Sequence, residues 1–266
     1  MAEDQVEQRT APTGKVVHAA IKREGESELK RASTSLAWSG LAAGLSMGFS
    51  FLGTGLLKAY LPDAPWTPLV SYFGYTLGFL VVILGRQQLF TENTLTVVLP
   101  LIEWRRLAVL KNVLRLWAVV LAANLVGALL FGLALARTEA VEPNVFQALR
   151  EVGAAAAADS FGVALLRAIF AGWMIALVVW LGPFAESARI WVIVILTYMV
   201  GLGHFTHVIA STIDASFLVF VGDSSWRELV LHVFVPGLIG NIIGGVALVA
   251  AINHAQVVAG ERAVDG

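Results

Sequence analysis

Cysteine is absent from the 266 residues, so the chain holds no disulfide, no catalytic thiolate and no thiolate metal site. Charge is scarce as well: Asp, Glu, Lys and Arg make up 14% of the sequence, against roughly a quarter in soluble domains. The formal net charge of −1 provides no basic field to neutralise phosphates and argues against nucleic acid as a partner. No metal-ligand cluster is visible, nor a Gly-rich phosphate loop followed by Lys and Ser or Thr, nor a nucleophile with a base. Asp159 and Asp214 lie too far apart in sequence to be read as a catalytic pair. An enzyme is therefore not expected, and neither a cofactor nor a metal. The first thirty residues are polar, without the apolar core and small-residue cleavage site of a secretory signal.

Apolar residues account for 58% of the chain, and they run in uncharged stretches of the length, about 20 helical residues, that crosses a bilayer's hydrocarbon core. No charge lies between Arg31 and Lys58, the first span. The second runs from Trp66 to Gly85, is interrupted from Arg86 to Glu92, and resumes as a short apolar piece from Asn93 to Ile102. Leu116 to Ala136 and Phe161 to Leu181 are the third and fourth, the latter with Arg167 embedded. The fifth reads apolar from Ile190 to Gly203, breaks at His204 to His207, and resumes from Val208 to Val221 around Asp214. Leu229 to Ile252 is the sixth.

Orientation follows from Lys and Arg in the short flanks, because positive loops stay cytoplasmic. With both termini inside, the inner flanks carry Arg9, Lys15, Lys22, Arg23, Lys30, Arg31, Arg105, Arg106, Lys111, Arg115, Arg189 and Arg262. The outer flanks carry only Lys58, Arg137, Arg150 and Arg227. Residues 1–34 then form a cytoplasmic N-terminal tail, in which Val16 to Ala32 is either a surface helix or an unstructured segment. Residues 35–253 form the transmembrane domain and 254–266 a cytoplasmic C-terminal tail.

The interrupted spans stand second among the first three and second among the last three, the arrangement of two repeats of opposite topology. Ala123-Asn124-Leu125-Val126-Gly127-Ala128 in the third span parallels Gly240-Asn241-Ile242-Ile243-Gly244-Gly245 in the sixth. Small residues alone serve close helix packing, whereas an Asn at both places favours a repeat. The expected fold class is an all-α integral membrane protein of six transmembrane helices in a 3+3 inverted repeat, the second and fifth broken, an aquaporin-like architecture. The Asn-Pro-Ala signature of the aquaporins themselves is in neither break.

Non-helical backbone at membrane depth is tolerated only inside protein or along a wet cavity, so both breaks mark a candidate path for a small solute. Each resumed half-helix presents free N–H groups toward the bilayer middle, with Thr91 a candidate cap for the first and Thr206 or Ser211 for the second. Ionisable residues within spans tend to mark ion paths or proton relays: Arg86, Arg167, His204, His207 and Asp214. The two arginines have an equally good reading as groups paired with carbonyls or snorkelling to an interface. His207 is the first candidate, since imidazole exchanges its proton nearest physiological pH.

Four short segments resemble the formate/nitrite transporter family: Leu89-Phe90-Thr91, Phe205-Thr206-His207-Val208-Ile209-Ala210, Asn124 to Leu129, and Pro236 to Gly245. The resemblance covers about Leu36 to Ile252. It implies a homopentamer in the cytoplasmic (inner) membrane of a bacterium, with one pore through each six-helix subunit. A small monovalent anion such as formate or nitrite would take a proton near His207 and cross apolar constrictions as the neutral acid. Those constrictions would be Tyr75, Phe79, Leu89, Phe90 and Val200, with Thr91, Phe205 and Thr206 beside them. The chain departs from the family where a Glu becomes Thr206, an Asn becomes Ser211, a vestibule Lys becomes Ala156 and a fourth-helix Asn becomes Gly172. Arg86 and Arg167 are candidates to supply the missing positive charge. The alternatives are a pore of the same fold for a neutral or unrelated solute, and a membrane scaffold without flux.

Overall fold

The computed structural model describes residues 13–264, and among them every regular element is a helix. Residues 1–12 of the expected N-terminal tail, including Arg9, and residues 265–266 of the C-terminal tail lie outside the described residues.

An amphipathic helix, α1 (Gly14–Leu29), precedes the apolar helices. It buries Ile21 and Leu29. Next come α2 (Ser33–Tyr60) and α3 (Thr67–Leu84), then the first break, then two short helices, α4 (Asn93–Thr96) and α5 (Val98–Trp104). Helix α6 (Leu107–Arg137) starts nine residues before the expected Leu116, because no helix-breaking residue separates Leu107 from the apolar run. Helix α7 (Pro143–Ala157) was not anticipated: its Pro at the first helical turn and four terminal alanines are helix signals in a segment too polar to read as a span.

Helices α8 (Phe161–Leu181), α9 (Arg189–Leu202) and α10 (Val208–Val221) follow, with the second break between the last two. Helix α11 (Trp226–Ala259) begins at a capping box in which the Ser225 hydroxyl accepts the Glu228 N–H and the Glu228 carboxylate accepts the Ser225 N–H. Helical backbone continues through Ile252–Val264. Helices α2, α3, α6, α8 and α11 are long and apolar enough to cross a membrane, while α9 and α10 are each 14 residues.

The helices pack through glycine. A Cβ on Gly44 would overlap the backbone carbonyl of Asn124, and one on Gly172 would overlap that of Asn241, so α2 rests on α6 as α8 rests on α11. The pattern repeats nearby, with Gly127 against Leu41 and Leu45, and Gly244 against Ile169 and Trp173. Gly240 meets Ala168 in the second set, where Gly40 meets Ala123 in the first. Such contacts let backbones approach where lipid offers no hydrophobic drive to associate. Outward, large apolar side chains stand exposed, among them Trp38, Phe49, Leu130, Leu166, Trp191 and Ile195, as a lipid-facing or subunit-facing surface requires.

Candidate functional site

Both breaks have the same backbone. At the end of α3 the N–H groups of Gly85, Arg86 and Gln87 donate to the carbonyls of Val81, Ile83 and Val82. At the end of α9 those of Gly203, His204 and Phe205 donate to Met199, Gly201 and Val200, with the same spacings. In each case the residue after the glycine turns left-handed, Arg86 at φ 49° and His204 at φ 51°. The chain then runs extended across the interior, leaving carbonyls and N–H groups that a helix would have satisfied.

Asn124 and Asn241 supply the missing partners. Asn124 Nδ2 donates to the carbonyls of Gln88 (2.9 Å) and Gly40 (2.7 Å), and its Oδ1 accepts the N–H of Phe90 (2.9 Å). Asn241 Nδ2 donates to Thr206 (2.9 Å) and Ala168 (2.8 Å), and its Oδ1 accepts the N–H of Val208 (2.8 Å). Both amides are fully buried. A side chain carrying one acceptor and two donors is what an interrupted strand of backbone requires, since each unpaired buried group costs about 1–3 kcal/mol. The amides thus hold the breaks in shape.

The breaks meet at His207. It is fully buried and is itself the N-cap of α10, its Nδ1 accepting the Ala210 N–H at 3.3 Å. Neither of the candidate caps, Thr206 or Ser211, takes the cap position. With Nδ1 an acceptor, Nε2 carries the proton of the neutral ring and donates to the Thr91 hydroxyl at 2.8 Å. Thr91 makes no capping bond to α4; its carbonyl accepts the Thr94 hydroxyl. The ring edge of Phe79 closes on the imidazole, centroids 5.0 Å apart at 78°.

Other expected residues divide into four groups. Tyr75, Phe79, Leu89, Phe90 and Val200 are all buried, as apolar constrictions would be, with Tyr75 packed on Phe79 and Phe90 edge-on to Trp117. Tyr75, Val200, Phe205, Thr206, Ser211 and Ala156 line one cavity of about 30 Å³ together with Asp214. Gly172 faces the backbone of Asn241 on α11. The two candidate compensating cations are paired: Arg167 with Asp159 at 2.6 Å, Arg86 with Glu24 at 3.6 Å.

Larger hollows open on either side of this apolar middle. One of about 510 Å³ is lined by Lys58, Pro62, Tyr72, Glu151 and His204, and shares Thr54, Tyr72, Val152 and His204 with the small cavity. The other, about 570 Å³, lies beneath α1 and is lined by Arg23, Glu24, Arg86, Glu92 and Arg189. Sequence reasoning passed over Tyr72, whose hydroxyl bonds His204 Nδ1 at 3.2 Å, and Glu92, a carboxylate set directly after Thr91. The available signal for Glu92 was its charge at the end of the interrupting stretch.

Residues 15–255 match the sequence profile described as "Formate/nitrite transporter". The chain is 36% identical over 251 residues to "Inner membrane protein YfdC" of Escherichia coli (strain K12), covering 94% of this chain and 81% of that one. It is 28% identical over 222 residues to "Formate channel BtFdhC" of Bacillus thuringiensis, covering 79% and 82%. Among solved structures, a "Pentameric formate channel with formate bound" superposes at a TM-score of 0.70 with 21% identity, over 86% of this chain and 99% of that one. An "FNT family ion channel" does so at 0.79 with 16% identity, over 90% and 98%. With a profile match across nearly all of its described length and an all-helical fold shared with solved channels, this membrane protein belongs to the formate/nitrite transporter family, whose members are transporters and channels and not enzymes.

Proposed function

We propose that the chain is a membrane channel for a small monovalent weak acid, formate, nitrite or a close relative, which passes His207 as the neutral molecule. The observation that carries this reading is the contact of Thr91 with His207 where the two breaks meet, walled by Phe79. A charge at such a place, deep in low dielectric, is costly, whereas a neutral acid offers one donor and one acceptor that Thr91 and the imidazole can exchange with. Relatives named for formate support the substrate class.

In this reading the six spans form an inverted 3+3 repeat, both termini face the cytoplasm, and five copies assemble in the inner membrane with a pore through each. Tyr75, Phe79, Leu89, Phe90 and Val200 line the constrictions, and the hollows on either side are the vestibules. The repeated hydrogen bonds of Asn124 and Asn241 support the repeat, and the exposed apolar faces support burial in lipid and against neighbouring copies.

The paired cations favour a second reading. Ala156 stands where the family has a vestibule Lys, and Lys58, Arg86 and Arg167 each sit against a carboxylate. A pore of the same fold for a neutral or unrelated solute would show flux indifferent to a proton gradient and to His207→Asn. The experiment that decides uses purified protein in liposomes loaded with a pH-sensitive dye and challenged with formate, nitrite, acetate or hydrosulfide. Acidification with at least one of them, slowed by His207→Asn, is expected; silence toward all four overturns the weak-acid reading.

A further inference from the structure

Asp214 is 7% exposed and lines the small cavity between the apolar constrictions and the hollow on the loop side. Its neighbours there are hydroxyls and an imidazole: Tyr72, Tyr75, Thr206, Ser211 and His204. Among the described residues it forms no ion pair, although the cations nearby do. Lys58 of α2 pairs with Glu151 of α7 at 3.1 Å, Arg150 of α7 with Asp223 at 2.6 Å, and Arg167 of α8 with Asp159 at 2.6 Å. Helix α3 brings Tyr72 and Tyr75 to it, and the second break brings His204. On helix α6, Arg137 at the C-terminal end is exposed, while Glu228 and His232 of α11 line a separate groove with Gln147, Arg150 and Glu151 of α7. A carboxyl group thus stands at the narrow end of the path with no cation committed to it.

The cavity has room for at least one water molecule or a few atoms of a solute. Two carboxylates sharing such a site cannot both ionise, because neither the solvent nor a cation screens them. Resting on the weak-acid reading above, we propose that Asp214 is a specificity-determining residue that makes admission of an anion conditional on a proton taken from the water on its own side. The balance is one proton per anion. The permeant anion gains the proton and continues toward His207 as the neutral acid, and Asp214 leaves the cycle as it began. On this account the anion is screened before it reaches the histidine, and by a carboxyl group where a cation was expected.

The test compares wild type with Asp214→Asn in liposomes, following radiolabelled formate uptake against external pH together with current across planar bilayers. Asp214→Asn keeps the size and shape of the side chain but removes its ability to ionise. Wild-type uptake is expected to fall about tenfold per unit rise in pH and to carry no current, as admission of the neutral acid requires. The Asn variant is expected to show a flatter slope, severalfold more uptake at pH 7.5, and a formate-dependent current, while Asp214→Glu keeps the wild-type slope. If the Asn variant does not assemble, Thr54→Lys, which sets a cation in the same cavity, is expected to produce the same flattening. A slope and current in the charge-altered variant equal to wild type would overturn the role of Asp214 alone. A wild type silent toward every acid would overturn the weak-acid reading and this one with it.

Discussion

The Thr91 hydroxyl and Nε2 of His207 stand 2.8 Å apart although 116 residues separate them along the chain. Each belongs to a different break, so the contact exists only when both breaks hold their shape at the same depth. Replacing Thr91 with Val keeps the volume and removes the acceptor of the imidazole N–H. An unsatisfied buried donor costs about 1–3 kcal/mol, so weak-acid flux in liposomes is expected to fall by roughly tenfold to a hundredfold, with Thr91→Ser retaining most of it. Wild-type flux in Thr91→Val would remove the pair from the transport path.

Asn124 and Asn241 each satisfy three backbone groups. Asn124→Ala and Asn241→Ala leave those groups unpaired in an interior without water, at a cost of about 3 kcal/mol or more each. Thermal unfolding in detergent should show a large drop in midpoint for either variant, and for Asn124→Leu as well. Equal midpoints for wild type and the Ala variants would assign the amides a packing role only.

Gly44 and Gly172 occupy the closest helix approaches, where a methyl group meets backbone that cannot give way. Gly44→Ala and Gly172→Ala are expected to destabilise by about 2 kcal/mol or more. Gly162, near the start of α8, has nothing within reach of an added Cβ, and Gly162→Ala should leave the midpoint unchanged or slightly higher. The contrast between the two outcomes checks the packing, and matching losses at all three sites would contradict it.

Arg86 takes a left-handed conformation at the end of α3 with its side chain largely in solvent. Arg86→Gly relieves a backbone strain of about 1 kcal/mol and forfeits only a loose pairing with Glu24, so the midpoint should rise. A fall would show that the side chain contributes more than the strain it imposes.

The Arg150 guanidinium reaches Asp223 through two hydrogen bonds, of 2.6 and 2.8 Å, tying α7 to the loop after α10. That hydrogen bonding holds the Asp223 carboxyl below its ordinary range and raises the guanidinium. Because the folded carboxyl binds its proton less readily than the unfolded one, the stabilisation is present above the ordinary carboxylate range and is lost as pH falls through the folded value. Amide exchange in α7 should be faster in Asp223→Asn than in wild type at pH 7, with the two converging in acid. The effect is modest, since both groups are exposed and screened.

The helical spans and both interruptions are legible in the sequence, because crossing lipid demands long uncharged runs and a charged or polar stretch within one is conspicuous. The paired Asn motifs, the family resemblance and the prominence of His207 and Thr91 follow from residue identity in the same way. Helix α7 was not legible, since its alanines and mixed polarity carry no membrane signal. Only the folded chain decides that the amides of Asn124 and Asn241 serve the breaks, that His207 caps its own half-helix and meets Thr91, and that Gly172 faces α11. The fate of the charges was decided there too: Arg86 and Arg167 are each set against a carboxylate, and Asp214 faces a cavity with no cation beside it. Period and composition are local properties that each span expresses alone, whereas pairing across more than a hundred residues depends on where packing brings the spans together.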